Sequence, residues 1–240
     1  ENWLFKELGD IHWDKLCEGL GKSSFNLADE LGNRLYATFV RIRIDCSGNL
    51  KSFKENKRMD INGSISRFGE SMYFSKMKLE SEGESIQADL MTAFSIRNST
   101  DNTKLAKSQP ASGENPIEAL AAMPPFGNQY RLLKKGELDS FETGGLSFSI
   151  KSDSIHEIEY ELNPFYDLNG VNLLYFAAYP IINDICEARY LNSVLDLEGR
   201  WEQTFYTATK DILYYANCNI NDSIIYRLLE LTELPDGSYQ

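Results

Sequence analysis

Cysteine and histidine are scarce in this 240-residue chain, which contains four cysteines and two histidines. The cysteines show no CxxC spacing, and the histidines, His12 and His156, lie far apart in the sequence. A structural zinc site or a secreted disulfide framework would show clustered spacing, so neither is expected. The sequence therefore predicts a reduced, cytoplasmic protein without a bound metal.

Long apolar runs are also lacking. The best run, residues 171–179, is much shorter than the roughly 18 residues that span a bilayer, so no membrane segment is predicted. The chain starts at Glu1 without Met, so further residues are expected before it, and its first residues do not form a signal-peptide pattern. The absence of GxSxG, GxGxxG, P-loop and HExxH motifs disfavours serine hydrolases, nucleotide enzymes and zinc peptidases.

Positive charge is in short supply. The chain has 24 Lys and Arg against 36 Asp and Glu, a formal net charge of -12. Nucleic acids and anionic membranes are therefore disfavoured as partners, because both need local positive density. An anionic substrate would have to meet a local cationic site within an acidic protein.

Periodicity predicts helix and sheet in the first half. Apolar residues at helical spacing predict a helix over residues 3–20, and alternation predicts a strand over 35–45. On that strand Tyr36, Thr38, Val40, Ile42 and Ile44 are expected to share the inward face. Four further strands are predicted at residues 51–60, 63–68, 72–79 and 86–96. The proline-rich residues 98–128 predict an exposed connection with a short helix at 116–123.

The second half repeats this plan. Strands are predicted at residues 141–150, 155–162, 199–215 and 223–233, and a long helix at 171–191, interrupted by Pro180. One apolar helix per half among antiparallel strands favours an α+β fold in which a curved sheet surrounds each helix. We expect a first domain at residues 1–105, a linker at 106–130 and a second domain at 131–240.

Three places carry candidate chemistry. Asp167 or Asn169 can cap a helix whose first amides, at Gly170 and Val171, would hold an oxyanion, although an ordinary N-cap explains the same pattern. His12 lies on the apolar stripe of its helix, where it is either a core histidine or a proton-transfer group. Tyr36 and Thr38 share a strand face and are either packing residues or hydroxyl groups of a pocket.

Four segments together resemble a known family. They are GDIHW (residues 9–13), RLYATFVRIR (34–43), SRFGES (66–71) and NPFYDLNGVNLLYFAAYP (163–180). The DLNG stretch at 167–170 resembles the Asp-x-x-Gly opening of the central helix in hot-dog proteins. The whole set, spanning residue 3 to about 233, resembles the leinamycin-type double hot-dog acyltransferase/decarboxylases of polyketide biosynthesis.

That resemblance implies a fold and a reaction. The fold is a double hot-dog, with two curved antiparallel sheets each wrapped around a central helix. The family takes methylmalonyl from coenzyme A onto a tyrosine, removes carbon dioxide and passes propionyl to the phosphopantetheine thiol of an acyl carrier protein; malonyl would give acetyl. Tyr36 occupies the position of that tyrosine. The residues themselves, and not the resemblance, lead us to expect five further groups around the substrate: Thr38, His12, Asn169, Gly170 and Val171.

The same resemblance implies that acyl-CoA is a substrate and that no cofactor is held permanently. A double hot-dog already contains the pseudo-dimer of single hot-dog proteins, so either a monomer or a homodimer is expected. Two other enzymes share the fold: a thioesterase that gives the acyl group to water, and a dehydratase that uses His12 with a carboxylate. A module that binds acyl carrier protein without catalysis is the further alternative.

Overall fold

The computed structural model describes residues 2–97, 100–111, 113, 115–150, 153–196 and 199–240. Four α-helices occur in these residues: α1 (Asn2–Gly19), α2 (Pro125–Lys134), α3 (Ala178–Val194) and α4 (Trp201–Thr204). The strands are β1 (Tyr36–Cys46), β2 (Asp60–Phe68), β3 (Met72–Ser81), β4 (Glu84–Ile96), β5 (Ala106–Lys107), β6 (Ser140–Thr143), β7 (Leu146–Ser149), β8 (His156–Glu161), β9 (Thr209–Leu213) and β10 (Ser223–Leu228).

The largest sheet has six strands. Its order is β2-β3-β4-β1-β9, with β5 added to one end of β4, and every pairing is antiparallel. Strand β9 thus brings the C-terminal part of the chain into the sheet that the N-terminal part begins. Two smaller antiparallel pairs, β8–β10 and β6–β7, complete the strands of the described residues.

Helix α1 covers one face of this sheet. Phe5, Leu8, His12 and Leu16 recur at helical spacing and are completely buried. The first two pack in one cluster with strand residues such as Ile42. The helix and the β1–β4 strands predicted from periodicity at 35–45, 63–68, 72–79 and 86–96 are confirmed. The strand expected at 51–60 is wrong, because residues 50–52 form a 3-10 turn and β2 begins only at Asp60.

Helix α2 covers the other face. Tyr130 of α2 packs with Phe74 and Met91, whose neighbours along β3 and β4 point to the α1 side. The side chains of one strand alternate between faces, so the sheet lies between two helices at this end. The short helix expected at residues 116–123 is wrong, because α2 begins at Pro125, where a proline is suited to the first turn of a helix.

A β-bulge divides β1 into two parts. The pairing of β1 with β4 shifts register between Phe39 and Arg41, which leaves Val40 as an extra residue. Ile42 therefore packs in the α1 cluster, whereas Val40 packs in the α2 cluster. The expectation that positions 36 to 44 share one face is wrong, because the bulge inverts the alternation halfway along the strand.

The predictions for the second half needed the most correction. Strand β8 is confirmed, but the strand expected at 141–150 is a hairpin that turns at Gly144 and Gly145, both with positive φ. The strand expected at 199–215 is in fact the short helix α4 followed by β9. The strand expected at 223–233 is confirmed as β10 only up to Leu228.

The helix expected at 171–191 begins only at Ala178. Pro180 is therefore in its first turn, where the missing N–H costs no hydrogen bond, and it does not interrupt the helix. Residues 169–174 form a loop that is closed by an isolated bridge between Leu168 and Leu174.

The α+β class, with an antiparallel sheet and a central helix, is confirmed. Helix α3 packs against the β8–β10 pair through Ile182 and Cys186. The two large sheets of a double hot-dog are not seen in the described residues, where one sheet has six strands and the others have two each. The domain limits stay a prediction.

Candidate active site

The main pocket, of about 950 Å³, is a cleft beside β1. Its walls include residues 36–40 of β1, residues 173–176 of the loop before α3, and residues 214–217 after β9. The N–H of Tyr214 donates to Val40 O at 2.9 Å, and beyond this bond the two segments separate. The pocket fills the space between them.

Side-chain contacts hold the far wall away from β1. The Tyr179 hydroxyl donates to Ala216 O at 2.7 Å. Asn217 Oδ1 accepts from the N–H of Leu174 at 3.0 Å, and its Nδ2 donates to Leu174 O at 3.1 Å. These bonds tie the segment after β9 to the loop before α3 and to α3 itself. Hydrogen bonds therefore hold the cleft open in the folded protein.

Three hydroxyl groups that line the pocket gather on the α2 face of the sheet. Tyr36 lies opposite Ser95, and Thr38 lies opposite Ala93, in the β1–β4 register. The hydroxyls of Thr38 and Ser95 are hydrogen-bonded at 2.5 Å. The Tyr36 hydroxyl has no hydrogen-bond partner among the described residues, and the Arg34 guanidinium lies 5.5 Å from its ring centroid. The structure thus brings Tyr36 and Thr38 together and adds Ser95, which the sequence analysis missed.

Asn169 also lines the pocket, but as the organiser of a loop. Its Oδ1 accepts from the N–H groups of Val171 and Leu173 at 3.1 and 3.0 Å. The amide of Val171 is therefore already bonded, and Gly170 and Val171 are not at a helix start and do not line the pocket. The Asn169 Nδ2 group has no hydrogen-bond partner in the described part of the chain. It is therefore the donor of this loop that is available to a ligand in the pocket.

His12 lies behind the pocket and does not line it. Its Nδ1 is 2.7 Å from the Ser75 hydroxyl and its Nε2 is 2.8 Å from the Thr92 hydroxyl. Burial lowers the pKa of His12 to about 3, so the ring is neutral at neutral pH. This is the arrangement of a core histidine, the structural one of the two alternatives.

Two aromatic rings in contact with one another separate the pocket from the core. The ring centroids of Phe39 and Phe176 are 4.1 Å apart, and both rings line the pocket. His12 lies on the core side of Phe39, with ring centroids 5.6 Å apart. A methyl group at Gly9 would lie 2.2 Å from Cζ of Phe176, so the absence of a side chain at Gly9 lets this ring lie against α1.

Buried tyrosines brace the same cleft. The Tyr130 hydroxyl donates to Tyr214 O at 2.9 Å, and burial raises the pKa of Tyr130 to about 12. Burial also raises the pKa values of Tyr179 and Tyr214. These phenols stay protonated at neutral pH, as their donor roles require.

Cations surround the pocket although the chain is acidic. Arg34, Lys107, Arg131, Lys134 and Lys135 line it and are exposed, whereas Asp10 is the one carboxylate among its described lining residues. Lys135 pairs with Glu137 at 3.3 Å; the other four have no carboxylate partner in the described residues. Sequence spacing does not reveal this cationic group, because its members come from distant segments.

No cluster of three or more His, Cys, Asp or Glu side chains that could bind a metal occurs in the described part of the chain. No described helix is both long and apolar enough to cross a membrane.

Comparison with known proteins shows similarity of structure. No family model and no curated protein matches the sequence. The 12:0-ACP thioesterase from Umbellularia californica is similar at a TM-score of 0.54 and 9% identity, over 97% of this chain and 80% of that one. An acyl-ACP thioesterase from Bacteroides thetaiotaomicron is similar at 0.53 and 11%, over 98% and 79%. At these identities the similarity shows the fold alone: this chain has a hot-dog-like α+β fold.

Proposed function

We propose that this protein is an enzyme that acts on acyl groups carried as thioesters on phosphopantetheine, in coenzyme A or in an acyl carrier protein. The observation that carries the proposal is the composition of the pocket: a cationic rim on an acidic protein, a cluster of hydroxyls and an aromatic inner wall. These three parts match the phosphate, the thioester carbonyl and the acyl chain of such a substrate. The fold is also that of two acyl-ACP thioesterases.

For the fate of the acyl group, the site geometry supports transfer through Tyr36. Its hydroxyl lines the pocket without a partner among the described residues, and it lies beside Thr38 and Ser95. The phenol oxygen would attack the thioester carbonyl carbon, the C–S bond would break, and the thiol would leave with the phenol proton. The hydroxyls and Asn169 Nδ2 supply hydrogen bonds to the oxyanion.

Decarboxylation follows from the resemblance to the leinamycin-type family, which also implies the double hot-dog architecture. On a malonyl-type ester, the bond to the carboxylate would break and release carbon dioxide. The enolate would take up a proton from water. The carrier thiol would then attack the propionyl or acetyl ester, the bond to the phenol oxygen would break, and the thiol proton would restore the Tyr36 hydroxyl. An aromatic inner wall disfavours a desolvated carboxylate, which assists this step.

Hydrolysis is the second candidate, and the comparisons support it more directly than transfer because both similar structures are acyl-ACP thioesterases. Hydrolysis needs a group that activates water. Asp10, paired with Lys6, is the carboxylate of the described pocket wall, and His12 is outside it. The variant Asp10→Asn therefore tests hydrolysis. A module that binds the carrier without catalysis would need neither Tyr36 nor Asp10.

The decisive experiment is intact-protein mass spectrometry after brief mixing with malonyl-CoA or methylmalonyl-CoA, followed by peptide mapping and addition of phosphopantetheinylated carrier protein. An acyl adduct on Tyr36 that moves to the carrier as acetyl or propionyl is expected, and Tyr36→Phe should abolish it while the circular dichroism is unchanged. Free acid without an adduct, lost in Asp10→Asn, would establish a thioesterase. Binding of holo carrier without either product would establish the non-catalytic module.

A further inference from the structure

The edge of β1 is unpaired where it borders the pocket. Strand β9 pairs with β1 over residues 41–45, and the bond from Tyr214 to Val40 is the last one on that side. Residues 36–39 pair with β4 on their other side and with no strand on this one in the described chain. The pocket is lined by every residue from 36 to 40, and alternate side chains point to opposite faces, so the pocket passes along this edge.

The hydrogen-bond pattern identifies the residues whose backbone groups face the pocket. In β4, the Phe94 N–H donates to Ser71 O, and Phe94 O accepts from the N–H of Ser108, so the backbone of Phe94 points away from β1. Backbone direction alternates along a strand, so Ala93 and Ser95 point towards β1. Their register partners are Thr38 and Tyr36.

Ala37 and Phe39 therefore present their backbone groups to the cleft. Each offers one N–H and one C=O, and no hydrogen bond to these four groups occurs within the described residues. The two residues repeat at about 6.6 Å along the strand. Unpaired strand edges bind extended chains that carry amides.

We propose that Ala37 and Phe39 bind the two amides of the phosphopantetheine arm, which lies along β1 as an added strand would. This inference rests on the proposed function. The arm is favoured over a peptide by what lies at the two ends of the edge. Lys134, which lies against the Tyr215 ring at the Val40 end, supplies a cation for the phosphate, and Tyr36, at the start of β1, supplies its hydroxyl at the other end, where the thioester would react. The edge also faces a cleft that residues 214–217 close on the other side, and not open solvent.

The test uses the full chain and S-propyl-4′-phosphopantetheine, a thioether that cannot transfer an acyl group. Calorimetry measures binding, and residue-resolved amide hydrogen exchange by NMR measures protection. We expect exchange at Ala37 and Phe39 to slow at least about tenfold on binding. The amides of Tyr36 and Thr38, already bonded to β4, are the internal control and should be unchanged.

A second probe replaces the cysteamine amide N–H by an ester oxygen. It should bind about five- to tenfold more weakly, as expected for one lost hydrogen bond. Binding of the first probe without protection of Ala37 and Phe39 would overturn the edge inference and leave the proposed function intact. Absence of binding would overturn both, and protection by an extended peptide in place of the probe would overturn the choice of ligand.

Discussion

Arg41 and Asp211 form a buried ion pair that joins β1 to β9. Arg41 Nη2 lies 2.6 Å from Asp211 Oδ2, and the two side chains are 0% and 3% exposed. The same guanidinium donates to Phe126 O at 2.9 Å and to Gln129 Oε1 at 2.7 Å, so it also fastens α2 to the sheet. One residue beyond the bulge thus holds together three elements that border the pocket.

Asp211→Ala should lower the free energy of unfolding by about 3–5 kcal/mol, because it leaves the Arg41 charge buried without its carboxylate. Urea denaturation measures this. The control is Asp60→Ala, which breaks the exposed pair of Arg58 and Asp60 and should cost less than about 1 kcal/mol. Equal losses in the two variants would contradict the role of burial.

His12 should make stability depend on pH. Its pKa is about 3 in the folded chain and about 6.5 in the unfolded chain, so below pH 6.5 the unfolded state binds the extra proton. The stabilisation is complete above about pH 6.5 and decreases as pH falls towards 3. At about pH 5 the loss is about 2 kcal/mol, at about 1.4 kcal/mol per pH unit.

The control for this effect is His12→Gln, which removes the titrating ring from the site between Ser75 and Thr92. Urea denaturation of both proteins at about pH 7 and pH 5 isolates the contribution of His12, since their carboxylates are the same. The gap in stability between them should narrow at the lower pH. A constant gap would mean that His12 is not neutral in the folded state.

Gly9→Ala should destabilise the protein by about 1–3 kcal/mol and push the Phe176 ring towards the pocket. The KM for methylmalonyl-CoA should rise more than the KM for malonyl-CoA, since the inner wall moves inwards and methylmalonyl carries one more methyl group. Phe176→Leu in the same chain should relieve part of the strain, so the double variant should be more stable than the sum of the single losses predicts. Additive losses would show that the two residues do not press on one another.

Reversing one rim charge should weaken binding of coenzyme A thioesters. We expect Arg131→Glu to raise the KM for acyl-CoA by up to about fivefold at low salt, and less at high salt, because the contact is exposed and screened. Lys54→Glu makes the same change in net charge at an exposed residue outside the pocket wall. If both variants raise KM equally, the overall charge of the protein and not the rim is responsible.

The sequence was most informative where structure is local. The helical stripe of α1 and the alternation in β3 follow from side chains that meet one core, so periodicity predicted both. The apolar residues 171–177 led to a wrong prediction of helix. They form a loop because Asn169 and Asn217 bond its backbone, and the second of these lies 43 residues after Leu174.

The candidate site was predictable in part for the same reason. Tyr36 and Thr38 are neighbours on one strand, so their pattern indicated a shared face. Ser95, Tyr130 and the cations of α2 reach the pocket through strand pairing and helix packing over long sequence distances. No spacing within the chain carries that information, although alternation in β4 could have marked Ser95 as a candidate.

The bulge at Val40 separates two kinds of constraint within one strand. After it, β1 must supply Ile42 and Ile44 to the core, and before it the strand supplies the pocket. The extra residue lies between the two parts of the strand. Substitutions among residues 36–39 can therefore change the substrate that the pocket binds without shifting the register of residues 41–46 with β4. Deletion of Val40 would remove that independence: the two parts would form one regular strand with Tyr36 and Thr38 still on the α2 side, and a shift in one part would pass directly into the other.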